Sequence, residues 1–167
     1  RKQYDIDKIL HRSMFVIEDV AFNSIFIRNN TILRDIAAEA RIKLSTELLE
    51  DMKRSEAKLE DLWDEQFNAY FSRDFLTNHL LREPTIACLL PLYAGTISKE
   101  RAEKLVKILT NNHVFWLNFP VPSVPRNVRT FDQKRYWQGP TWVNTNWLLI
   151  DGLSRMGFEN EIGRAHV

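Results

Sequence analysis

A helical pattern dominates residues 19–41, which read DVAFNSIFIRNNTILRDIAAEAR. Apolar side chains recur in this stretch every three or four residues and form one stripe along a helix: Phe22, Ile25, Phe26, Leu33, Ile36, Ala37 and Ala40. Residues 45–64 show a second stripe of the same kind, and the short connection between the two predicts an antiparallel helical hairpin. In a complete domain we expect the following side chains of this hairpin to be mostly buried, and in an isolated fragment part of the stripe to be exposed: Phe22, Phe26, Leu33, Leu48, Leu59 and Leu62.

The distribution of glycine and proline favours helix over most of the chain. Neither residue occurs in residues 1–83, whereas all five glycines and all six prolines lie beyond them. A segment of that length without the two main chain breakers is typical of helical structure. Further helices are predicted over residues 85–94, 98–111 and 141–156. Residues 67–81 have a weaker pattern, which predicts a short strand pair or an irregular loop, so the fold class is all-α with a small insertion.

Composition excludes several classes of function. The 167 residues include 23 Lys and Arg and 22 Asp and Glu, and the net charge of +1 indicates no nucleic-acid partner. The longest apolar runs, such as Trp147–Ile150, are far too short to span a membrane. Cys88 is the one cysteine, and the four histidines are dispersed without ligand spacing. We therefore expect no disulfide, no metal site and no organic cofactor.

One motif concentrates the functional signal: residues 136–147, which read YWQGPTWVNTNW. It ends a long loop, residues 112–140, that is rich in aromatic residues and proline, and loops of this length in compact domains are usually functional. Indoles stack on the C–H faces of sugars, and amides form hydrogen bonds with sugar hydroxyls, so this mixture suits a carbohydrate ligand. The same tryptophans could equally fill a helical core, and composition alone leaves both interpretations open.

The order of these residues resembles the Tyr-Trp-(Arg/Gln)-Gly-Pro-x-Trp-x-Asn-x-Asn-Trp signature of α/α-toroid glycoside hydrolases. Mannosylglycerate hydrolase-like proteins and the processing α-glucosidases show the greatest resemblance, and trehalases a more distant one. Other segments are similar to the same group in the same order: DVAFN at 19–23, LWDE at 62–65, LLPLYAG at 89–95 and PSV at 122–124. The resemblance implies that residues 1–161 form the central part of a six-hairpin toroid, with the small irregular or β insertion near residues 67–81.

The resemblance also implies a sugar site. One wall would consist of Tyr136, Trp137, Gln138, Trp142 and Asn144, with Pro122 and Ser123 at the opposite rim. Trp137 would stack on the sugar ring, while Gln138 and Asn144 would form hydrogen bonds with its hydroxyls. Gln138 stands where the family most often has arginine, which removes a fixed charge near the sugar.

The catalytic groups are expected elsewhere. Members of this group resemble inverting glycosidases, which need a carboxylic acid and a carboxylate base. The family acid is an aspartate in a tryptophan-rich segment upstream of the position of Asp19, and the family base is a glutamate beyond Val167. The resemblance therefore implies a fragment of a hydrolase of α-linked glucosyl or mannosyl compounds that contains neither catalytic carboxylate. The alternative is a non-catalytic helical-repeat interaction module, although such repeats keep their connections short, unlike residues 115–142.

The last six residues, 162–167, read IGRAHV and resemble the translation of a sequencing-library adapter. We expect this tail to be non-native and to make few contacts. The carbohydrate substrate is the one partner that the sequence indicates, with neither nucleic acid nor membrane. The exact sugar, the oligomeric state and the compartment stay open, with the cytoplasm slightly favoured.

Overall fold

The structure is a computed structural model and describes residues 5–163, apart from the side chains of His11 and Ile162. Except for the backbone of residues 162 and 163, the expected tail at residues 162–167 lies outside the described residues and stays a prediction. No helix between residues 5 and 163 combines the length and apolar character that crossing a membrane requires.

Helices predominate, and four very short strands interrupt them. In chain order the elements are α1 (Ile6–Arg12), β1 (Ile17–Glu18), α2 (Val20–Glu39), α3 (Thr46–Leu59), β2 (Trp63–Asp64), β3 (Ala69–Tyr70), β4 (Arg73–Asp74), α4 (Pro91–Ala94), α5 (Lys99–Leu109), α6 (Val143–Arg155) and α7 (Glu159–Gly163). Two 3₁₀ turns, Glu60–Leu62 and Ile86–Leu89, precede β2 and α4. No sequence pattern predicts α1, β1 and α7, because their residues lie outside the segments with strong periodicity.

Helices α2 and α3 form the predicted hairpin. Asn23, near the start of α2, and Leu59, the last residue of α3, line the same small cleft, so the two helices run antiparallel. An ion pair between Arg34 Nη2 and Glu56 Oε1, at 2.9 Å, joins them.

Burial in this hairpin differs from the prediction on one helix. Three of the side chains expected to be buried are exposed: Phe22, Phe26 and Leu33. Leu59 and Leu62 are buried as expected, and Leu48 is half-buried. In the described part of the chain this difference arises because α2 is apolar on two opposite faces. The face with Val20 and Ile27 joins the core, while the face with the phenylalanines contacts solvent in the described part of the chain.

The predicted insertion consists of two small antiparallel sheets. Strand β2 pairs with β3, with Trp63 opposite Tyr70, and β1 pairs with β4. The insertion therefore begins earlier than residue 67, and the helix predicted over residues 45–64 ends at Leu59. Helix α5 packs on the β2–β3 sheet, where the guanidinium carbon of Arg101 lies 4.7 Å from the centroid of the Trp63 ring.

Helix α4 occupies the centre of the molecule, between α2 and α6. The approach to α6 is close, because a Cβ atom at Gly152 would lie 2.7 Å from the backbone of Leu92. Arg155 Nη2 donates a 2.6 Å hydrogen bond to the carbonyl oxygen of Tyr93 at the same crossing. Residues 85–94 are therefore buried as predicted, but as a 3₁₀ turn followed by the one-turn helix α4. This packing holds α6 in place, and the second half of the motif at residues 136–147 forms the first turn of this helix.

Candidate functional site

Residues 132–138, which we name the motif loop, form a compact backbone structure. The backbone N–H of Asp132 donates to the carbonyl oxygen of Gln138 at 2.6 Å, and two further backbone hydrogen bonds close the loop through Arg135. A Cβ atom at the following residue, Gly139, would lie 2.5 Å from the carbonyl oxygen of Asp132. Glycine is required at this position because the two backbone segments approach so closely. The loop is therefore preorganised by its own backbone.

Three aromatic rings of the motif contact one another beside this loop. The ring centroids of Tyr136 and Trp142 are 4.7 Å apart, and those of Trp137 and Trp142 are 4.9 Å apart. Trp142 Nε1 donates a hydrogen bond of 3.2 Å to the carbonyl oxygen of Tyr136. Tyr136 and Trp137 are exposed, so this aromatic cluster presents ring faces at the surface of the described part. Such a surface can stack on the apolar face of a ligand.

The segment of Pro122 and Ser123 supports the motif from beneath. Ser123 is buried; its Oγ accepts a hydrogen bond from the N–H of Gly139 at 3.0 Å, and its carbonyl oxygen accepts one from the N–H of Ile86. Pro122 is buried as well and forms an isolated β-bridge with Thr141. These contacts attach the motif to the core. A role of either residue at the rim of a sugar site stays a prediction.

Asn146 is a structural residue of the motif that the sequence analysis missed. Its Oδ1 accepts a 2.6 Å hydrogen bond from the N–H of Val121, and its Nδ2 donates to the carbonyl oxygens of Val121 and Trp142. The amide therefore clamps the first turn of α6 to the preceding loop. The Asn-x-Asn spacing was the available signal, because side chains two residues apart on a helix point to different sides. The spacing does not show which of the two asparagines faces inward.

An open cleft of about 2310 Å³ lies next to the motif loop. Apolar side chains of the long loop and of α6 line part of it, including Trp116, Phe119 and Leu149. Within the described part of the chain, the charged residues that line it are Arg126, Arg129, Asp132, Lys134, Arg135 and Glu161. Arginine and lysine therefore outnumber carboxylates in this cleft.

The structure brings together only part of the predicted site. Tyr136, Trp137 and Trp142 are in direct contact, whereas Gln138 turns to Arg135, whose Nη1 lies 3.3 Å from Gln138 Oε1. Asn144 is exposed on the first turn of α6, without a side-chain hydrogen bond to any residue of the described part. Binding of sugar by these residues stays a prediction.

The described side chains show no metal centre or reactive thiol. Within residues 5–163, no three His, Cys, Asp or Glu side chains come together as metal ligands. Burial raises the pKa of the Cys88 thiol to about 11, so this group is protonated at neutral pH and is a small core residue.

Comparison with known proteins gives consistent matches along the chain. Residues 1–166 match the family described as the mannosylglycerate hydrolase MGH1-like glycoside hydrolase domain. The chain is 36% identical over 163 residues to a mannosylglycerate hydrolase of Thermus thermophilus, covering 95% of this chain and 38% of that protein. It is 29% identical over 174 residues to the glucosylglycerate hydrolase of Mycolicibacterium hassiacum, covering 93% of this chain and 36% of that protein.

A solved structure shows the same fold. The crystal structure of a GH63 mannosylglycerate hydrolase from Thermus thermophilus in complex with Tris superimposes with a TM-score of 0.87 at 34% identity. The match covers 97% of this chain and 39% of that one. The chain therefore spans well under half the length of the relatives that it matches.

Proposed function

This chain belongs to the mannosylglycerate hydrolase MGH1-like glycoside hydrolase family, and on that premise we propose that it is the central part of an inverting hydrolase of α-linked mannosyl- or glucosylglycerate. The aromatic cluster on the preorganised motif loop carries the proposal, because exposed rings in a rigid frame suit a sugar. The family relationship favours an enzyme over a helical-repeat interaction module.

Sugar binding is the task of the motif in this proposal. Trp137 stacks on the sugar ring. The rings of Tyr136 and Trp142 hold its indole in place, with centroids 5.4 and 4.9 Å from that of Trp137. Gln138 and Asn144 form hydrogen bonds with the sugar hydroxyls. Ser123 and Asn146 act indirectly, since they fix the backbone that bears these groups. A rigid wall of this kind orients the glycosidic bond without side-chain rearrangement.

Bond cleavage needs groups from other segments in this proposal. Inversion requires a carboxylic acid and a carboxylate base about 6.5–9.5 Å apart, so that a water molecule fits between the base and the sugar. Stacking and hydrogen bonding supply no proton to the leaving oxygen and activate no water. We assign the acid to a segment before Asp19 and the base to a segment after Val167 of the full-length protein. The 167-residue chain alone then has no glycosidase activity.

Assays of the full-length protein test this proposal, with mannosylglycerate and glucosylglycerate as substrates. Trp137→Ala is expected to lower kcat/KM by roughly 1–3 kcal/mol of transition-state binding, because the stacking surface is lost. Phe67→Ala is the matched control, since Phe67 is 48% exposed, against 49% for Trp137, and is not among the residues that line the cleft. The control should leave kcat/KM unchanged.

Two results would contradict the proposal. An unaffected Trp137→Ala enzyme would assign the aromatic cluster to packing alone. Turnover by the purified 167-residue chain would place a catalytic carboxylate within it, with Asp132, Asp151 and Glu159 as the residues to examine.

A further inference from the structure

The cleft beside the motif loop has a local excess of positive charge. Among the described residues, four basic side chains line it, Arg126, Arg129, Lys134 and Arg135, against the carboxylates of Asp132 and Glu161. The whole chain carries a net charge of only +1, so the excess reflects placement and not composition. Concentrated charge of one sign in a cleft attracts ligands of the opposite sign.

Arg135 occupies the position in this group that joins the cleft to the aromatic cluster. It directly precedes Tyr136 and lines the cleft, and its Nη1 lies 3.3 Å from Gln138 Oε1. Gln138 carries no charge, and the guanidinium of Arg135 is the cationic group in contact with it. Because the two side chains are in contact, a ligand group bound by Arg135 would lie next to a sugar bound by Gln138.

The guanidinium is held in place but not saturated. Its Nε lies 3.4 Å from Asp132 Oδ2, and this carboxylate also accepts a hydrogen bond from the backbone N–H of Lys134. A guanidinium has five N–H donors, and the contacts with Asp132 and Gln138 leave donors for a ligand. The side chain is 70% exposed. Its planar fork matches the two oxygens of a carboxylate.

We propose that Arg135 binds the carboxylate of an anionic aglycone, the non-sugar part of the substrate, and so selects glycosylglycerates over neutral glycosides. The proposal rests on the proposed function, which supplies a substrate with a carboxylate next to the glycosidic bond. The remaining basic side chains of the cleft add attraction at longer range. Arg135 is a specificity-determining residue in this scheme and takes no part in proton transfer.

Kinetics of the full-length protein on two substrates test this assignment. One substrate is the glycosylglycerate, and the other is the glycosylglycerol, in which a neutral CH₂OH group replaces the carboxylate. Arg135→Gln should raise KM for the glycerate substrate roughly 10- to 100-fold, as expected for loss of a charge-assisted contact. The kcat/KM for the glycerol substrate should change less than about twofold. The KM of Arg135→Lys for the glycerate substrate should lie between those of the wild type and Arg135→Gln, because lysine keeps the charge but lacks the planar guanidinium.

Arg54→Gln is the matched control. Arg54 is also paired with an aspartate three residues earlier, Asp51, and its side chain is 69% exposed, but it lies on α3, away from the cleft. Arg54→Gln should change KM and kcat/KM for neither substrate. Equal losses on both substrates in Arg135→Gln would show that Arg135 only shapes the loop, and no loss on either would remove it from recognition. Both results overturn the proposal.

Calorimetry with D-glycerate separates this inference from the proposed function. D-Glycerate should bind the wild type and Arg54→Gln but bind Arg135→Gln at least tenfold more weakly, and glycerol should bind none of them. If the wild type cleaves no glycoside, the proposed function fails while the D-glycerate titration still decides the role of Arg135. Equal D-glycerate affinity in all variants, or binding of inorganic phosphate without D-glycerate, overturns the carboxylate assignment.

Discussion

Asn144 and Asn146 stand two residues apart in the motif but differ in what their side chains contact. Asn146 joins the backbone of Val121 to α6, whereas Asn144 projects into solvent. The N–H and carbonyl oxygen of Val121 depend on this one amide, and Val121 is itself buried. When a buried polar group loses its hydrogen-bond partner, the free energy of unfolding falls by the cost of removing that group from water.

Asn146→Ala is therefore expected to lower the free energy of unfolding by roughly 1–3 kcal/mol. Asn144→Ala is the matched control for stability, and its effect should stay within about 0.5 kcal/mol. Urea denaturation measures both values, and faster hydrogen exchange at the Val121 amide would report the lost clamp directly. Similar unfolding free energies for the two variants would contradict the clamp.

At the scale of elements, the turn between β2 and β3 depends on one buried carboxylate. Asp64 Oδ1 accepts hydrogen bonds from the N–H groups of Gln66 and Phe67, and Oδ2 pairs with Arg82 Nε at 2.7 Å. Burial raises the pKa of Asp64, but the contacts with Arg82, Phe67 and Gln66 together hold it below the usual value. The ionised form is thus the one that the fold stabilises.

Asp64→Asn should lower the free energy of unfolding at neutral pH by roughly 1–3 kcal/mol, because Arg82 loses its carboxylate partner. The folded-state pKa of Asp64 lies below the value of about 3.9 for an unfolded chain. Its stabilisation is therefore complete above that pH and disappears as the pH falls through the folded-state pKa.

The unfolding free energies of the wild type and Asp64→Asn should accordingly converge on titration from about pH 5 to about pH 2. Chemical denaturation across this range measures the difference. Glu50→Gln, an exposed carboxylate on α3, is the charge-matched control and should follow the wild type throughout. A difference that stays constant with pH would rule out the ionised carboxylate as the cause.

At the scale of the whole molecule, α2 has a second apolar face that the described part of the chain leaves exposed. Phe22 is 77% exposed, and Phe26, Leu33 and Ile36 on the same face are exposed as well. Contiguous apolar patches of this kind are rare on monomeric soluble proteins and usually mark a contact with other protein surface. Under the proposed function, other segments of the full-length enzyme cover this face.

The isolated 167-residue chain is therefore expected to self-associate and to bind hydrophobic dyes. Phe22→Glu with Phe26→Glu should reduce both effects in the isolated chain, because the patch loses its apolar character. The same pair should destabilise the full-length protein, where the face is covered. Light scattering, dye fluorescence and thermal unfolding measure these effects.

Ile27→Ala provides the comparison on the opposite face of α2. Ile27 is buried in the core, so its truncation should cost roughly 2–5 kcal/mol in the isolated chain and in the full-length protein alike. If the glutamate pair leaves the full-length protein as stable as the wild type, the exposed face of α2 is not covered there.

Local patterns determined much of this protein. Helices α2, α3, α5 and α6 follow from apolar periodicity, and the first three also begin at capping residues, such as Asp19, whose Oδ1 accepts the N–H of Phe22 at 2.8 Å. The resemblance to the mannosylglycerate hydrolase-like group was also available from sequence, because its motifs are short and ordered, and the family match confirms it. Such signals act within one or two helical turns, so they need no knowledge of the packing.

Packing between distant segments decided the rest. Which face of α2 is buried depends on where α4 lies, and the strand pairing of Ile17 with Asp74 joins residues far apart in the chain. The inward position of Asn146 depends on Val121, and the place of Arg135 depends on how the motif loop closes. Two-residue strands carry too few side chains to show an alternating pattern, and an apolar stripe does not say what covers it. These contacts form only when the elements come together, so the tertiary structure alone determines them.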